Sequence, residues 1–462
     1  MDTHRGLIVF HKVGSGKTLT AITVSQCYLD KHPTHRVLVV APAGLLNNFK
    51  DEMTKSYVNV KHGDRYEFYS YQRFTSLVKK RKKPICKNTL VVIDEGHNLR
   101  TPYQQGKKGV NKGINTKNIL DCARLASKVL VLTGTPIYNS RNDIFTLFNM
   151  IRDPSEPEIP KSSYANKDKE LGEASFRRLF CKISYHDTAG DPNFPNRINV
   201  RHSILMSPEY KAKYLEVIET IKNGGLSSLV KNLFGEKDLV PFFNAVRRAV
   251  NNLDNTDANK KLEWVVRTLT SFPRNEKAIV FSNFLDAGLR LITAKLPASY
   301  PYAIIEGKVP MAQRKQIVHD FNEGKYRALF ISKAGGEGLD MKGARHVILM
   351  DPTWNEASNE QVIGRAIRYR SHAHLPDPTH HNVTVHYLQH IFKEDQAMAK
   401  EVERYLKRVQ TNPSTLENDV PAVSPYENSF DLFLSFFLRK KQVLLDKYNE
   451  LLKSYSLERN QC

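Results

Sequence analysis

The chain has 462 residues, of which 40% are hydrophobic and 25% charged. This composition excludes a wholly disordered protein, and the length predicts two or three compact units. Lys and Arg (69) exceed Asp and Glu (48), giving a formal net charge of +21. Such an excess favours an anionic partner such as nucleic acid, although a basic enzyme whose charge only keeps it apart from its neighbours stays open. The scattered cysteines without C-x-x-C spacing predict reduced intracellular thiols, and no apolar segment predicts secretion or a membrane span.

Apolar runs of strand length recur in the first third of the chain, with helix-sized gaps between them. They are Gly6–Phe10, Val37–Val40, Leu90–Ile93 and Val129–Leu132. This rhythm predicts a parallel α/β sheet domain over residues 1–151. A Pro- and charge-rich stretch follows Arg152, and then come two helical patterns. We therefore predict a mostly helical insert over 152–276, with helices at Pro208–Asn223 and Val240–Leu253.

A second α/β rhythm occupies residues 277–410. Its predicted strands are Lys277–Phe281, Tyr302–Ile305, Ala328–Ile331, His346–Met350 and Val383–Tyr387. Residues 411–462 are predicted to be a linker and helical tail, because Ser429 to Leu452 places apolar residues at three and four spacing. The expected fold is α/β with two parallel-sheet domains, a helical insert and an amphipathic helical tail.

The first strand runs into a glycine-rich loop, Gly14-Ser15-Gly16-Lys17-Thr18. Such a loop wraps backbone N–H groups round phosphates at the start of the next helix. Lys17 would meet the β and γ phosphates of ATP, and the Thr18 hydroxyl would ligate Mg²⁺. His11 stands where the general pattern has Gly. The alternative is a glycine-rich turn after a buried strand.

Two carboxylates follow the third strand in Asp94-Glu95-Gly96-His97, at the sheet edge where ligands bind. Asp94 would hold the Mg²⁺ shell through water, and Glu95 would be the general base for the attacking water. His97 is assigned to coupling between the ATP site and the second α/β domain. Thr133 to Pro136 (TGTP) ends the next strand and can sense the γ phosphate. A polar strand end and an ordinary turn are the alternatives.

The second domain carries a glycine-rich stretch, Ser332 to Asp340, that suits a phosphate contact, and then Gln361 to Arg368 (QVIGRAIR). Gln361 is placed among the nucleotide-binding residues. Arg365 and Arg368 are three apart, so we expect them on one helix face as arginine fingers reaching across the cleft. A flexible loop and a surface salt-bridge helix are the alternatives.

In this order the motifs resemble those of the superfamily 2 helicases and translocases, over about residues 6 to 390. The resemblance implies two RecA-like lobes, at 1–151 and 277–410, with ATP and Mg²⁺ as cofactors. HKVGSGKT, the FYSYQRF stretch at Phe68–Phe74, DPTWNEASNEQVIGRAIRYRSH and FLRKKQ are similar to segments of the helicase-like NTPases of large DNA viruses. The chromatin-remodelling ATPases are similar in outline.

This likeness implies a virus-encoded, DNA-dependent ATPase in cytoplasmic or virion transcription, with RNA polymerase or a transcription-factor subunit as partner. The lack of a long apolar segment predicts no membrane partner. Two alternatives stay open: a transcription-factor subunit in which ATP is a switch, and a nucleotide-binding scaffold without nucleic acid. Only ten residues precede the HKVGSGKT segment, too few for the superfamily's upstream adenine-recognising segment. This leaves base selectivity open and indicates a fragment or a shortened paralogue.

Overall fold

The computed structural model describes residues 4–12, 14–55, 57–80, 85–101, 113–137, 143–159, 181–188, 190–223, 240–253, 259–332 and 339–459. The chain forms two compact units. Unit 1 comprises Met1–Gly190 together with Leu445–Cys462, and unit 2 comprises Asp191–Leu444. The four predicted domain spans stay predictions, since this division into two units does not test them.

Unit 1 is built on a six-stranded parallel sheet of order β3-β2-β4-β5-β1-β6. Its strands are β1 (Gly6–His11), β2 (Arg36–Ala41), β3 (Tyr66–Ser70), β4 (Thr89–Ile93), β5 (Lys128–Thr133) and β6 (Ile183–His186). Its helices are α1 (Lys17–Lys31), α2 (Ala43–Met53), α3 (Tyr71–Lys80), α4 (Ile114–Leu125) and α5 (Asp143–Ile151).

Both faces of this sheet are buried, because alternate residues of each strand point to opposite sides. Ile8, Phe10 and Val40 face a cluster with residues of α3, α4 and α5. Leu7 and Val9 face another with residues of α1 and α2. This two-sided burial explains why the strands are continuous apolar runs.

Unit 2 repeats the architecture with a parallel sheet of order β7-β12-β11-β8-β10-β9. Its strands are β7 (Asn196–Leu205), β8 (Lys277–Ser282), β9 (Tyr302–Ile305), β10 (Ala328–Ser332), β11 (Ala344–Leu349) and β12 (Asn382–Ile391). Its helices are α6 (Pro208–Asn223), α7 (Val240–Asn251), α8 (Lys260–Ser271), α9 (Arg290–Lys295), α10 (Met311–Asn322), α11 (Glu356–Ala366), α12 (Asp395–Thr411) and α13 (Phe430–Ser454). The residues of α13 from Leu445 onward belong to unit 1.

The predicted fold class of two parallel-sheet lobes is confirmed. Helix α6 and strand β9 have the predicted bounds. Three strands were not predicted: β3, β6 and β7. The last is polar and largely exposed along its length, and it forms the edge of the second sheet next to β12.

The expectation of reduced thiols is wrong at Cys86 and Cys122. Cys86 and Cys122 form a disulfide, with their Cα atoms 5.4 Å apart. They are 36 residues apart in sequence, but both lie in the apolar cluster beside α3 and α4, so packing makes the pairing that spacing did not suggest. Among the described helices none is both long and apolar enough to cross a bilayer.

Candidate nucleotide site

The described residues of the loop between β1 and α1 turn on two glycines with positive φ. Gly14 and Gly16 have φ values of 81° and 83°, which glycine adopts at no steric cost. Ser15 turns the chain through its N–H and hydroxyl, which both donate to the carbonyl of Lys12. Helix α1 then begins at Lys17, so its first N–H groups lie at the loop.

The Lys17 ammonium lies over the loop. Its Nζ donates to the carbonyl oxygens of His11 (3.1 Å) and Lys12 (3.3 Å). Thr18 occupies the first turn of α1 and is half-buried. His11 is buried, and its ring lies beside Ser184 and His186 of β6. His11 stands where the general pattern has Gly, and the structure places its side chain against the neighbouring strand.

Asp94 lies buried at the end of β4, and its backbone N–H donates to Val40. Burial and the neighbouring Glu95 raise the pKa of Asp94 to about 7, while the Lys17 ammonium opposes the rise. Strands β1 and β4 both pair in parallel with β5, so the loop after β1 and the carboxylates after β4 lie at the same edge of the sheet. A bound cation would favour the ionised form of the Asp94 carboxyl and so oppose the rise of its pKa.

Thr18 and Asp94 supply the hard oxygen donors that Mg²⁺ prefers. These residues fit the ion: the hydroxyl would bind it directly, and the carboxylate would hold its water shell. When bound, Mg²⁺ would offset the charge of the phosphate oxygens.

Glu95 adopts the left-handed backbone conformation, with φ 51° and ψ 48°. Such a conformation is strained for a residue other than glycine. Tyr71 stabilises it, because its buried hydroxyl donates to the carbonyl oxygens of Asp94 and of Glu95, the latter at 3.1 Å. Burial raises the pKa of Tyr71 well above its ordinary value, so the hydroxyl keeps its proton. Sequence reasoning missed Tyr71, although it lies in the quoted FYSYQRF stretch.

His97 connects two motifs of unit 1. Its Nδ1 lies 3.2 Å from Glu95 Oε2 and 3.2 Å from Thr133 Oγ1. Burial lowers the pKa of His97. Thr133 Oγ1 also accepts a hydrogen bond from the N–H of Thr135. The predicted partners of the γ phosphate, the general base and TGTP, therefore meet through this imidazole.

The two arginines of unit 2 do not share a helix face, so that expectation is wrong. Helix α11 ends at Ala366, and Ile367 has an extended backbone. The Ser371 hydroxyl donates to the carbonyl of Ala366 and draws the chain into a turn. Arg368 lies beyond the helix, where its side chain pairs with Asp340 and donates to the carbonyl of Gly364.

Gln361 and Arg365 both lie within α11. The start of this helix is held by the neighbouring strands: Arg197 of β7 donates to Glu360 (2.7 Å) and to the hydroxyl of Tyr387 (2.6 Å). Of the predicted stretch Ser332 to Asp340, residues 333–338 lie outside the described residues.

Two family models match the chain. The family model of the SNF2-related domain matches residues 1–167, and the helicase conserved C-terminal domain matches residues 260–370. The chain is a superfamily 2 helicase-type protein, an ATPase that depends on nucleic acid. Within that superfamily it carries the SNF2-related type of first domain.

Similar proteins occur in viruses and in humans. A mimivirus protein named as an ATP-dependent RNA helicase is 28% identical, covering 100% of this chain and 96% of its own length. Nucleoside triphosphatase I of Choristoneura biennis entomopoxvirus is 22% identical over 87% of this chain and 73% of its own. The human DNA repair and recombination protein RAD54B is 25% identical over 80% of this chain and 48% of its own.

Two solved structures are similar at low identity. The Sulfolobus solfataricus SWI2/SNF2 ATPase core in complex with dsDNA has a TM-score of 0.35 at 18% identity, covering 88% of this chain and 87% of that one. The Pyrococcus furiosus Hef helicase domain has a TM-score of 0.46 at 15% identity, covering 86% and 95%.

Proposed function

We propose that this protein translocates along nucleic acid, DNA in preference to RNA, and uses Mg²⁺ and ATP to do so. We further propose that it serves viral transcription in the cytoplasm or the virion, with RNA polymerase or a transcription-factor subunit as partner. The observation that carries the ATPase part is the position of Lys17, Asp94 and Glu95, which follow parallel strands at one edge of the sheet in unit 1. The relatives from viruses support the proposed viral role.

The residues of this site have distinct proposed roles. The N–H groups of Gly14 to Lys17 bind the phosphates, and Lys17 exchanges its loop carbonyls for the β and γ oxygens. Thr18 and Asp94 hold Mg²⁺. Glu95 orients and deprotonates the attacking water, and its contact with the His97 imidazole fixes the carboxylate. In unit 2, Gln361 contacts the nucleotide, and Arg365 and Arg368 stabilise the charge that develops on the phosphoryl group.

The choice of DNA rests on likeness. The SNF2-related match and the human DNA repair relative favour DNA, while the mimivirus relative has RNA in its name. Contacts to a phosphate backbone do not distinguish sequences. The net charge of +21 supports either polymer, so RNA belongs in the test.

The test is steady-state ATP turnover of the whole chain with no polymer, duplex DNA, single-stranded DNA or RNA. The blank is Lys17→Ala. We expect duplex DNA to stimulate turnover most, and the stimulation to vanish in the blank. Equal turnover with and without every polymer contradicts the motor, and RNA as the best activator overturns the choice of DNA.

Glu95→Gln separates binding from chemistry, since the amide keeps the shape of the carboxylate but cannot act as a base. We expect this variant to bind a fluorescent ATP analogue as the wild type does, with kcat lowered at least 100-fold, in the range of a lost general base. Tight, sequence-selective DNA binding with little turnover in the wild type would instead favour the transcription-factor alternative.

A further inference from the structure

The last described residues of the chain contact β6, the strand that lies beside β1 and the phosphate loop in unit 1. Strand β6 is the edge strand of the first sheet and runs parallel to β1 up to the loop, with Phe10 opposite Tyr185 and His11 opposite His186. The Lys12 N–H extends this pairing by donating to the carbonyl of His186 (3.1 Å). The backbone that leads into the loop therefore rests directly on β6.

The last described residues cover the outer edge of β6. In the C-terminal part of α13, Leu445 and Leu452 are buried in the cluster on one face of the sheet, and Leu457 packs against the cluster on the other face. Leu457 also begins a 3₁₀ turn, Leu457–Arg459, which lies beside the edge strand β6. Glu458 is in this turn, and its Oε2 accepts from the N–H of Tyr185 (2.8 Å). An edge strand otherwise exposes such an N–H.

Glu458 also begins a chain of hydrogen bonds that ends at His11. The Ser184 hydroxyl donates to Glu458 Oε1 at 2.5 Å, so its only proton is used there. His11 Nε2, 3.3 Å from Ser184 Oγ, must then be the donor in that contact. Burial is the main cause that lowers the pKa of His11 to about 4, and the nearby His186 and Lys17 act in the same direction, so the ring is neutral. The contact with Ser184 then places its proton on Nε2.

His11 in turn sets the resting place of Lys17, because the His11 carbonyl accepts from the Lys17 ammonium. We propose that Glu458 is a positioning residue of the nucleotide site, which holds the start of the phosphate loop through Ser184 and His11. The C-terminal segment is thus a working part of the ATP-binding lobe. This inference rests on the proposed role of the loop in ATP binding.

The test measures KM for ATP, kcat and Tm of the full chain for the wild type, Glu458→Ala and Ser184→Ala. Losing one hydrogen-bonded link should raise KM and the dissociation constant of a fluorescent ATP analogue about three- to tenfold. We expect kcat to stay within about twofold, because the groups that carry the chemistry are unchanged. The double variant should raise KM no more than either single one does, since both interrupt one chain.

Two further variants serve as controls. Glu458→Gln keeps an oxygen acceptor for Tyr185 but turns its amide N–H₂ toward Ser184, which can no longer donate there. KM should therefore rise as in Glu458→Ala, while Tm stays near that of the wild type. Glu450→Ala removes an exposed carboxylate of the same segment, whose ion pair with Lys453 is long at 3.9 Å. It should leave KM, kcat and Tm unchanged.

Three results overturn the proposal. One is an unchanged KM in Glu458→Ala. Another is a fall of Tm and of active fraction at constant KM, which marks a merely structural contact. The third is a normal KM in Ser184→Ala, which removes His11 from the chain of contacts. Failure of the ATPase itself is distinguishable, because wild type and Lys17→Ala would then be equally inactive.

Discussion

Gly96 has no room for a side chain. A Cβ there would lie 2.5 Å from Val131 Cγ1 and 3.3 Å from Leu147 Cδ2. Packing at these distances forces neighbours to move, which costs about 1–3 kcal/mol. We expect Gly96→Ala to lower the free energy of unfolding by this amount, measured by denaturant titration, and to lower kcat because Glu95 and His97 flank it. Gly63→Ala is the control, since its Cβ would meet only Val60 at 3.7 Å. Equal stability of the two variants contradicts the prediction.

A Tyr71 variant tests whether the Tyr71 hydroxyl is needed to hold the strained backbone of Glu95. Tyr71→Phe keeps the ring and removes the donor to the two carbonyls. A lost hydrogen bond of about 1–1.5 kcal/mol corresponds to a kcat about five- to tenfold lower, with a smaller change in KM. Tyr69→Phe is the control, because that hydroxyl donates to Glu67. If the two variants have the same kcat, the hydroxyl of Tyr71 does not hold the catalytic turn.

The pKa of Asp94, raised to about 7, predicts how pH acts on nucleotide binding. Because the folded pKa lies above the ordinary value, Asp94 is largely protonated at pH 6 and ionised at pH 8, and only the ionised form holds Mg²⁺ well. The dissociation constant of MgATP should therefore rise about tenfold from pH 8 to pH 6, since the ionised fraction of a carboxyl with a pKa of about 7 falls by that factor. ATP without metal should show the opposite trend, since a protonated Asp94 no longer repels phosphate. Parallel trends in the two titrations would exclude Asp94 as the group responsible.

At the scale of elements, a buried ion pair joins the start of α8 to the start of α13. Lys261 Nζ lies 2.8 Å from Asp431 Oδ2, and the side chains are 0% and 4% exposed. Lys261 also donates to Asn251, and Asp431 accepts from the N–H of His390. These additional hydrogen bonds satisfy the charges that burial takes out of water.

Breaking this pair should cost more than replacing it. Lys261→Met leaves Asp431 buried without its cation, and we expect a loss of about 3–5 kcal/mol in the free energy of unfolding. The double variant Lys261→Met with Asp431→Leu should lose less, because no unpaired charge remains buried. Chemical denaturation of the three proteins decides between these outcomes. Equal losses in the single and double variants would show that packing, not charge, dominates here.

For the whole molecule, the net charge of +21 predicts a strong salt dependence of nucleic-acid binding. Each neutralised phosphate releases counterions, and a protein with roughly 6–10 such contacts loses about 10³–10⁵ in affinity between 50 and 200 mM salt. We expect the DNA concentration for half-maximal ATPase stimulation to rise steeply over this range, while ATP turnover without polymer changes little. A flat dependence would mean that the basic residues do not contact the backbone.

The sequence was most informative where a local pattern specifies the structure. The strands buried on both faces are continuous apolar runs. Their first and last residues could therefore be predicted to within one or two positions in most cases. The loop from Gly14 to Thr18 was also predictable from a local pattern. Its glycines permit the positive φ values of the turn, and it directly follows a strand.

Other features depend on neighbours that are distant in the chain. Strand β7 was missed because an edge strand that is largely exposed carries no apolar run. Arg368 leaves the helix because the Ser371 hydroxyl competes for the carbonyl of Ala366. Cys86 pairs with Cys122 because both lie in one apolar cluster.

By itself, then, the sequence determined the two parallel sheets and placed the glycine-rich loop and the DEGH segment at the ends of strands, since periodicity and motif spacing are properties of short segments. Only the tertiary structure decided that Tyr71 supports the turn at Glu95, that Gly96 is required by Val131, and that Glu458 reaches the strand beside the phosphate loop. Each of these contacts joins residues far apart in the chain, so it depends on side-chain packing and hydrogen bonding in the folded structure and not on a local pattern.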